Sequence, residues 1–91
     1  MEFEWDPKKA AENLRKHGIS FVEAAEAFFD ENAVDLFDDI NSDNEIRYQI
    51  VGISRRRLLL VAYTDRDETI RIISARKANA KQVRIYNEQN G

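Results

Sequence analysis

Two short segments carry the residue types best suited to chemistry. In the first, His17 stands between Lys16 and Gly18. Imidazole is the side chain whose ordinary pKa lies near neutrality, so His17 is a candidate general acid or base. A plainer role also fits its position, since a histidine at a helix end can bond to the last carbonyls. The second segment, Ser74-Ala75-Arg76-Lys77, leaves a strand, where side chains can converge on a ligand. A guanidinium fork matches phosphate geometry and an ammonium adds a point charge. Arg47 begins another strand in the same half of the chain. Strict alternation places Arg71 and Arg76 on opposite faces. The plainer reading of these cations is a set of surface ion pairs with acidic residues.

Other residues offer weaker signals. Tyr48, Tyr63 and Tyr86 could stack on bases, although Tyr63 and Tyr86 read better as half-buried rings with the hydroxyl near water or a partner. Trp5 reads as core. Arg55-Arg56-Arg57 suits a solvated hairpin tip that discourages edge pairing, or a contact to a phosphate backbone. The acidic run Asp38, Asp39, Asp43 and Glu45 lacks the glycine and spacing of a calcium loop and reads as a solvated loop. There is no cysteine and one histidine, which exclude disulfides, thiolate zinc sites and multi-histidine metal sites. The three glycines, Gly18, Gly52 and Gly91, form no phosphate loop. No metal and no cofactor are expected.

Composition narrows the classes further. The 91 residues are 43% hydrophobic and 34% charged, which suits one small globular domain over residues 1–91. No apolar run approaches the ~18 residues a membrane span needs. The acidic start, Met1-Glu2-Phe3-Glu4, is unlike a signal peptide, so a cytoplasmic domain is expected. The formal net charge of −3 argues mildly against nucleic acid. However, residues 1–45 hold four Lys and Arg against thirteen Asp and Glu, whereas residues 46–91 hold ten against four. This segregation predicts one acidic and one basic surface.

The elements that must position these residues follow from local signals. Phe3 to Trp5 reads as a short strand. Asp6-Pro7 is a helix start, in which the carboxylate caps free N–H groups and proline fills the first turn. That helix carries Ala10, Ala11 and Leu14 on one stripe and stops at Gly18. Ser20 to Glu23 has capping-box spacing and opens a second helix with Phe21, Ala24, Ala25 and Phe28 inward, ended by Asp30-Glu31-Asn32. The short turn between the helices makes them antiparallel neighbours. Strands are expected at 33–37, 46–54, 58–64 and 69–74, with tips at 55–57 and 65–68. A last helix over 79–87 begins with a weaker capping box, Asn79 to Gln82. The order β-α-α-β-β-β-β-α, with short turns between strands, implies an α+β fold on a mainly antiparallel sheet.

Taken together the segments resemble one family. Phe3-Glu4-Trp5-Asp6-Pro7-Lys8-Lys9, Asn13 and Lys16-His17-Gly18-Ile19-Ser20-Phe21 resemble the opening of the BrnT toxins. Leu58 to Tyr63, Arg71 to Ala78, and Tyr86 are similar to that family's second half, so the likeness spans Phe3 to about Tyr86. The resemblance implies a RelE-like fold and the toxin of a type II toxin–antitoxin system. Such a toxin is a metal-independent endoribonuclease that cleaves mRNA, free or ribosome-bound, and blocks translation. A BrnA-type antitoxin with a ribbon-helix-helix domain would neutralise it and carry the complex to operator DNA. Carried over by position, His17, Arg76, Lys77 and Tyr86 are the candidate catalytic residues, and Lys16, Arg47 and Ser74 the candidate RNA-binding ones.

Two departures bear on activity. The family often shows Thr and Glu where this chain has Asn79 and Gln82; if that glutamate were a base, Gln82 could not replace it. The three-residue spacing favours a helix cap at both positions. The second departure is Arg55 to Arg57, at a turn where glycine is common. Two other readings stay open: a non-catalytic module that binds the antitoxin and serves autoregulation, and a gyrase-poisoning toxin.

Overall fold

The computed structural model describes residues 1–40 and 46–91. Strand β1 (Glu2–Glu4) leads into helix α1 (Pro7–His17) and helix α2 (Phe21–Glu26), which tightens into a 3-10 turn over Ala27–Phe29. Four strands follow, β2 (Val34–Ile40), β3 (Ile46–Ser54), β4 (Arg57–Arg66) and β5 (Thr69–Lys77), and then helix α3 (Ala80–Asn90). The sheet order is β1-β5-β4-β3-β2. Among the described strands only the β1–β5 pair is parallel. The α+β class and the element order are those read from the sequence.

The helix ends follow their caps. Asp6 accepts from the Lys8 N–H at 2.9 Å. Gly18 closes α1 in the left-handed region at φ 70°, where a side chain would be strained. Ser20 Oγ accepts from the Glu23 N–H, but Glu23 does not complete the expected box, because its carboxylate is held by Arg57. Asn79 and Gln82 do complete theirs, at 3.0 and 2.8 Å. The cap account of that pair therefore holds.

The sheet carries two cores because β4 is central. Leu59, Val61 and Tyr63 pack toward α1 and α2, with Ile50, Ile72 and Ala75 beside them. Leu58 and Leu60 face the other way, against Val51 and the Tyr86 ring of α3. A strand buried on both faces reads as a continuous apolar run. The approach of the 3-10 turn to β3 is close, since a Cβ on Gly52 would stand 2.5 Å from the Ala27 carbonyl oxygen.

Three expectations are corrected. Strand β2 runs on to Ile40, past the expected 37, with an irregularity between Phe37 and Ile40. The acidic-loop reading therefore ends in a strand at 38–40, and its remainder, Asp43 and Glu45, lies outside the described residues. The hairpin tips shrink to two residues, Arg55-Arg56 and Asp67-Glu68, as the flanking strands extend. Finally, Arg71 and Arg76 share a face. Val61 pairs with Ala75 and Ala62 with Ser74, yet Tyr63 pairs with Ile72. Ile73 is the extra residue of a β-bulge, and one extra residue reverses the alternation.

Candidate functional site

The bulge, together with α1, builds a cleft on the sheet face away from α2. Helix α1 lies along the edge of β5 that β1 leaves unpaired. Asn13, buried within it, acts as a rung of a missing strand. Its amide donates to the Ala75 carbonyl at 2.8 Å and its oxygen accepts from the Ala75 N–H at 3.0 Å. The same amide nitrogen donates to the Ile19 carbonyl at 2.9 Å, fixing the turn after α1. Backbone groups at a sheet edge need such partners when buried.

This anchoring sets α1 beside Ser74. A cleft of about 270 Å³ opens between them. From α1 it is lined by Lys9, Glu12, Asn13, Lys16 and His17, and from the sheet by Arg47, Ile73 and Ser74. The spacing 9, 12, 13, 16 is that of one helix face. Arg47 belongs to β3, two strands from Ser74, so its side chain reaches across β4. Between them on this face stands the small Ala62, which pairs with both Gln49 and Ser74.

Arg76 pairs with Leu60 on this same face, two residues beyond Ser74, or ~6.8 Å along the strand. Among the described residues, no side-chain hydrogen bond or ion pair occupies Lys16, His17, Arg47, Ser74 or Arg76. The helix-end bond considered for His17 is not formed. The structure thus brings Lys16, His17, Arg47 and Ser74 into one cleft, with Arg76 alongside.

Lys77 and Tyr86 lie elsewhere. Lys77 pairs with Leu59, on the opposite face from Arg76. Tyr86 packs its ring on Val51 and Leu60, and its hydroxyl donates to Asp30 Oδ2 at 2.7 Å. Burial and the Asp30 carboxylate raise its pKa. Asp30 is pushed up by burial, but the Ile53 and Asn32 N–H groups and the Tyr86 hydroxyl outweigh that and hold it below the usual range. Tyr48 and Tyr63 stack on each other at 5.6 Å on the α1/α2 face. The Tyr63 hydroxyl meets Asp35 at 3.3 Å. Burial first, then Asp35, raises the Tyr63 pKa. Trp5 packs edge-on to Phe21 at 6.0 Å.

The expected basic surface is partly cancelled. Arg55 forks onto Glu26 with two bonds of 2.9 Å, Arg57 onto Glu23 at 2.6 and 2.7 Å, and Arg71 approaches Glu4 at 3.7 Å. Sequence reasoning missed Lys9, Glu12 and Asn13 as cleft residues. Their signal was the polar stripe on α1, legible only once that face is known to meet a sheet edge. Cations, an imidazole, a hydroxyl and a carboxylate around one open cleft can hold an anion and move protons at it.

Comparison with known families agrees in kind. Residues 5–82 match the family model described as the ribonuclease toxin, BrnT, of a type II toxin–antitoxin system. No curated protein matches the chain. Among the described residues, no helix is long and apolar enough to cross a membrane.

Proposed function

The chain belongs to the BrnT family of ribonuclease toxins of type II toxin–antitoxin systems, and on that premise we propose that the cleft beside α1 is where it cleaves RNA. Membership implies an antitoxin partner. The convergence of His17, Lys16, Arg47 and Ser74 on one cleft, none of them tied to another described side chain, is the observation that carries the reading.

The chemistry is transesterification at phosphorus. The 2′-oxygen attacks, its proton leaves, the non-bridging oxygens gain charge, and the departing 5′-oxygen takes a proton, giving a 2′,3′-cyclic phosphate. His17 is the proton-moving group, with the Glu12 carboxylate in the same cleft. Lys16, Arg47 and Arg76 supply positive charge to the crowded phosphorus, in an open site where it must be held in place beforehand. The Ser74 hydroxyl bonds a non-bridging oxygen. Lys77, on the other face, adds long-range positive potential, and Tyr86 holds α3 to the sheet. No metal is required by this scheme. The substrate is mRNA, with or without the ribosome, and its loss stops translation. The partner is a BrnA-type ribbon-helix-helix antitoxin, which contacts operator DNA for the complex.

Purified protein incubated with RNA in EDTA, with and without ribosomes, tests the reading. The wild type cleaves, and His17→Ala and Arg76→Ala are slower by about 10²-fold or more at unchanged melting temperature. Full cleavage by both variants would remove the cleft from the mechanism.

A further inference from the structure

We propose a second phosphate subsite, centred on Thr64, on the sheet face that carries the His17 cleft. It rests on the reading of that cleft as an RNA site and deepens it. Thr64 is 3% exposed, and its Oγ1 is buried without a hydrogen-bond partner. Arg47 Nε is buried and unpartnered as well. Folded proteins leave few such atoms, so two together ask for a common cause.

The register puts them side by side. Tyr63 packs toward α1 and α2, so Thr64 points to the opposite face of the sheet, where it is nonetheless covered. Thr64 pairs with Arg71 on β5. On its other side Tyr63 pairs with Tyr48 of β3, so Arg47, one residue earlier, flanks Thr64. A buried hydroxyl therefore lies on a strand flanked by two that each carry an arginine at this level. Arg71 is held by Glu4 only at 3.7 Å, which leaves its donors available.

The chemistry of the three groups selects the occupant. Arginines donate only, and a threonine hydroxyl donates or accepts. A water here would carry two protons with one acceptor, Thr64, among these side chains. A phosphate oxygen accepts from all three. The source of that phosphate is the RNA strand already in the cleft. The Ala62–Ser74 pair is the next pair along this face from Thr64–Arg71, and Arg47, whose Nε is buried and unpartnered, lines the cleft beside Ser74. A strand whose scissile phosphate rests at Ser74 lays an adjacent phosphate at Thr64.

Binding is measured by chemical-shift titration with inorganic phosphate and with two uncleavable probes, a 2′-O-methyl hexanucleotide and a 2′-O-methyl dinucleoside monophosphate. The variants are Thr64→Val and Thr64→Ser. Valine removes the orphaned hydroxyl at equal volume, so Thr64→Val melts at or above the wild-type temperature. It binds the hexanucleotide about tenfold more weakly and the single-phosphate probe as the wild type does, while Thr64→Ser retains both. Unchanged hexanucleotide binding by Thr64→Val overturns the subsite, as does equal loss on both probes. Loss confined to inorganic phosphate assigns the pocket to a free anion and overturns the RNA source. If neither probe binds the wild type, the RNA reading itself falls, and the subsite with it.

Discussion

Arg57 and Arg47 begin neighbouring strands of one sheet and have opposite fates. Arg57 reaches the buried Glu23 carboxylate with two short bonds and adds a third to the Gly18 carbonyl, where α1 ends. Around it, Arg55 grips Glu26, and Ser54 donates to the Glu23 carbonyl. This corner ties the β3–β4 hairpin to both N-terminal helices. At the other end of the same strands, Arg47 has its Nε buried with nothing to bond. Structural arginines have their charge spent by the fold. An arginine with a buried and unspent nitrogen points to a ligand, because the fold alone gives no return for that desolvation. Residue type and charge segregation did not separate the two groups; pairing did.

Asn13 is where the comparison breaks most sharply, because it belongs to the cleft and yet is structural. Asn13→Ala removes three buried hydrogen bonds and leaves the Ala75 N–H and two carbonyls without partners. A loss of about 3–5 kcal/mol is expected in denaturant unfolding. Cleavage falls too, since α1 no longer presents Lys16 and His17 to Ser74. If Asn13→Ala unfolds at the wild-type midpoint, the missing-strand account of Asn13 is wrong.

The Glu23–Arg57 pair sharpens the comparison from the structural side. Arg57→Ala leaves a buried carboxylate unpaired. The guanidinium is about a third exposed, with a side-chain accessibility of 36%, so the denaturant midpoint falls, but by less than the loss of a fully buried pair would cost. RNA cleavage by the folded fraction stays at the wild-type rate. Acid reports the same pair. The hydrogen bond from Arg57 is the largest influence on Glu23 and holds its pKa below the ordinary 4.5. A depressed folded-state pKa adds stability above 4.5 that is lost as pH falls through the folded value. The melting temperature of the wild type therefore drops more steeply below pH 4.5 than that of Glu23→Gln. Parallel curves would show that Glu23 contributes nothing to acid sensitivity.

Local chemistry was legible in the sequence, and long-range chemistry was not. Asp6-Pro7, Gly18, Ser20 and the Asn79–Gln82 box act within four residues of themselves, so their spacing alone located the helices. Strand ends ran past the expected positions at β2, β4 and β5, because pairing partners, absent from any local pattern, extend a strand. The Ile73 bulge carries no glycine to announce it, yet it brings Arg71 to the face of Ser74 and Arg76. Glu23 looked like half of a capping box until Arg57, distant in sequence, claimed it. Tyr86 read as a half-buried ring with its hydroxyl near water or a partner, but that the partner is Asp30, 56 residues away, no local pattern could tell. Lys16 and His17 were visible as types, but the stripe they share with Lys9, Glu12 and Asn13 had no meaning without the β5 edge.

Arg56 gives the smallest effect and the finest test. It sits between the two spent arginines, exposed, at φ 75°, and its neighbour Arg55 has φ 50°. Two-residue hairpin turns with both residues in the left-handed region favour glycine at the second position. The left-handed conformation costs a non-glycine residue roughly 1–2 kcal/mol, and glycine's extra freedom in the unfolded chain returns part of that. Arg56→Gly should therefore stabilise the protein by about 0.5–1 kcal/mol, read as a higher denaturant midpoint at unchanged slope. It should leave RNA cleavage as it was, because the tip belongs to the corner that holds the helices and lines no part of the cleft. If cleavage falls while stability rises, the tip touches the RNA backbone, and the division between spent and unspent arginines must be redrawn to include a solvated cation that neither bonds a carboxylate nor lies buried.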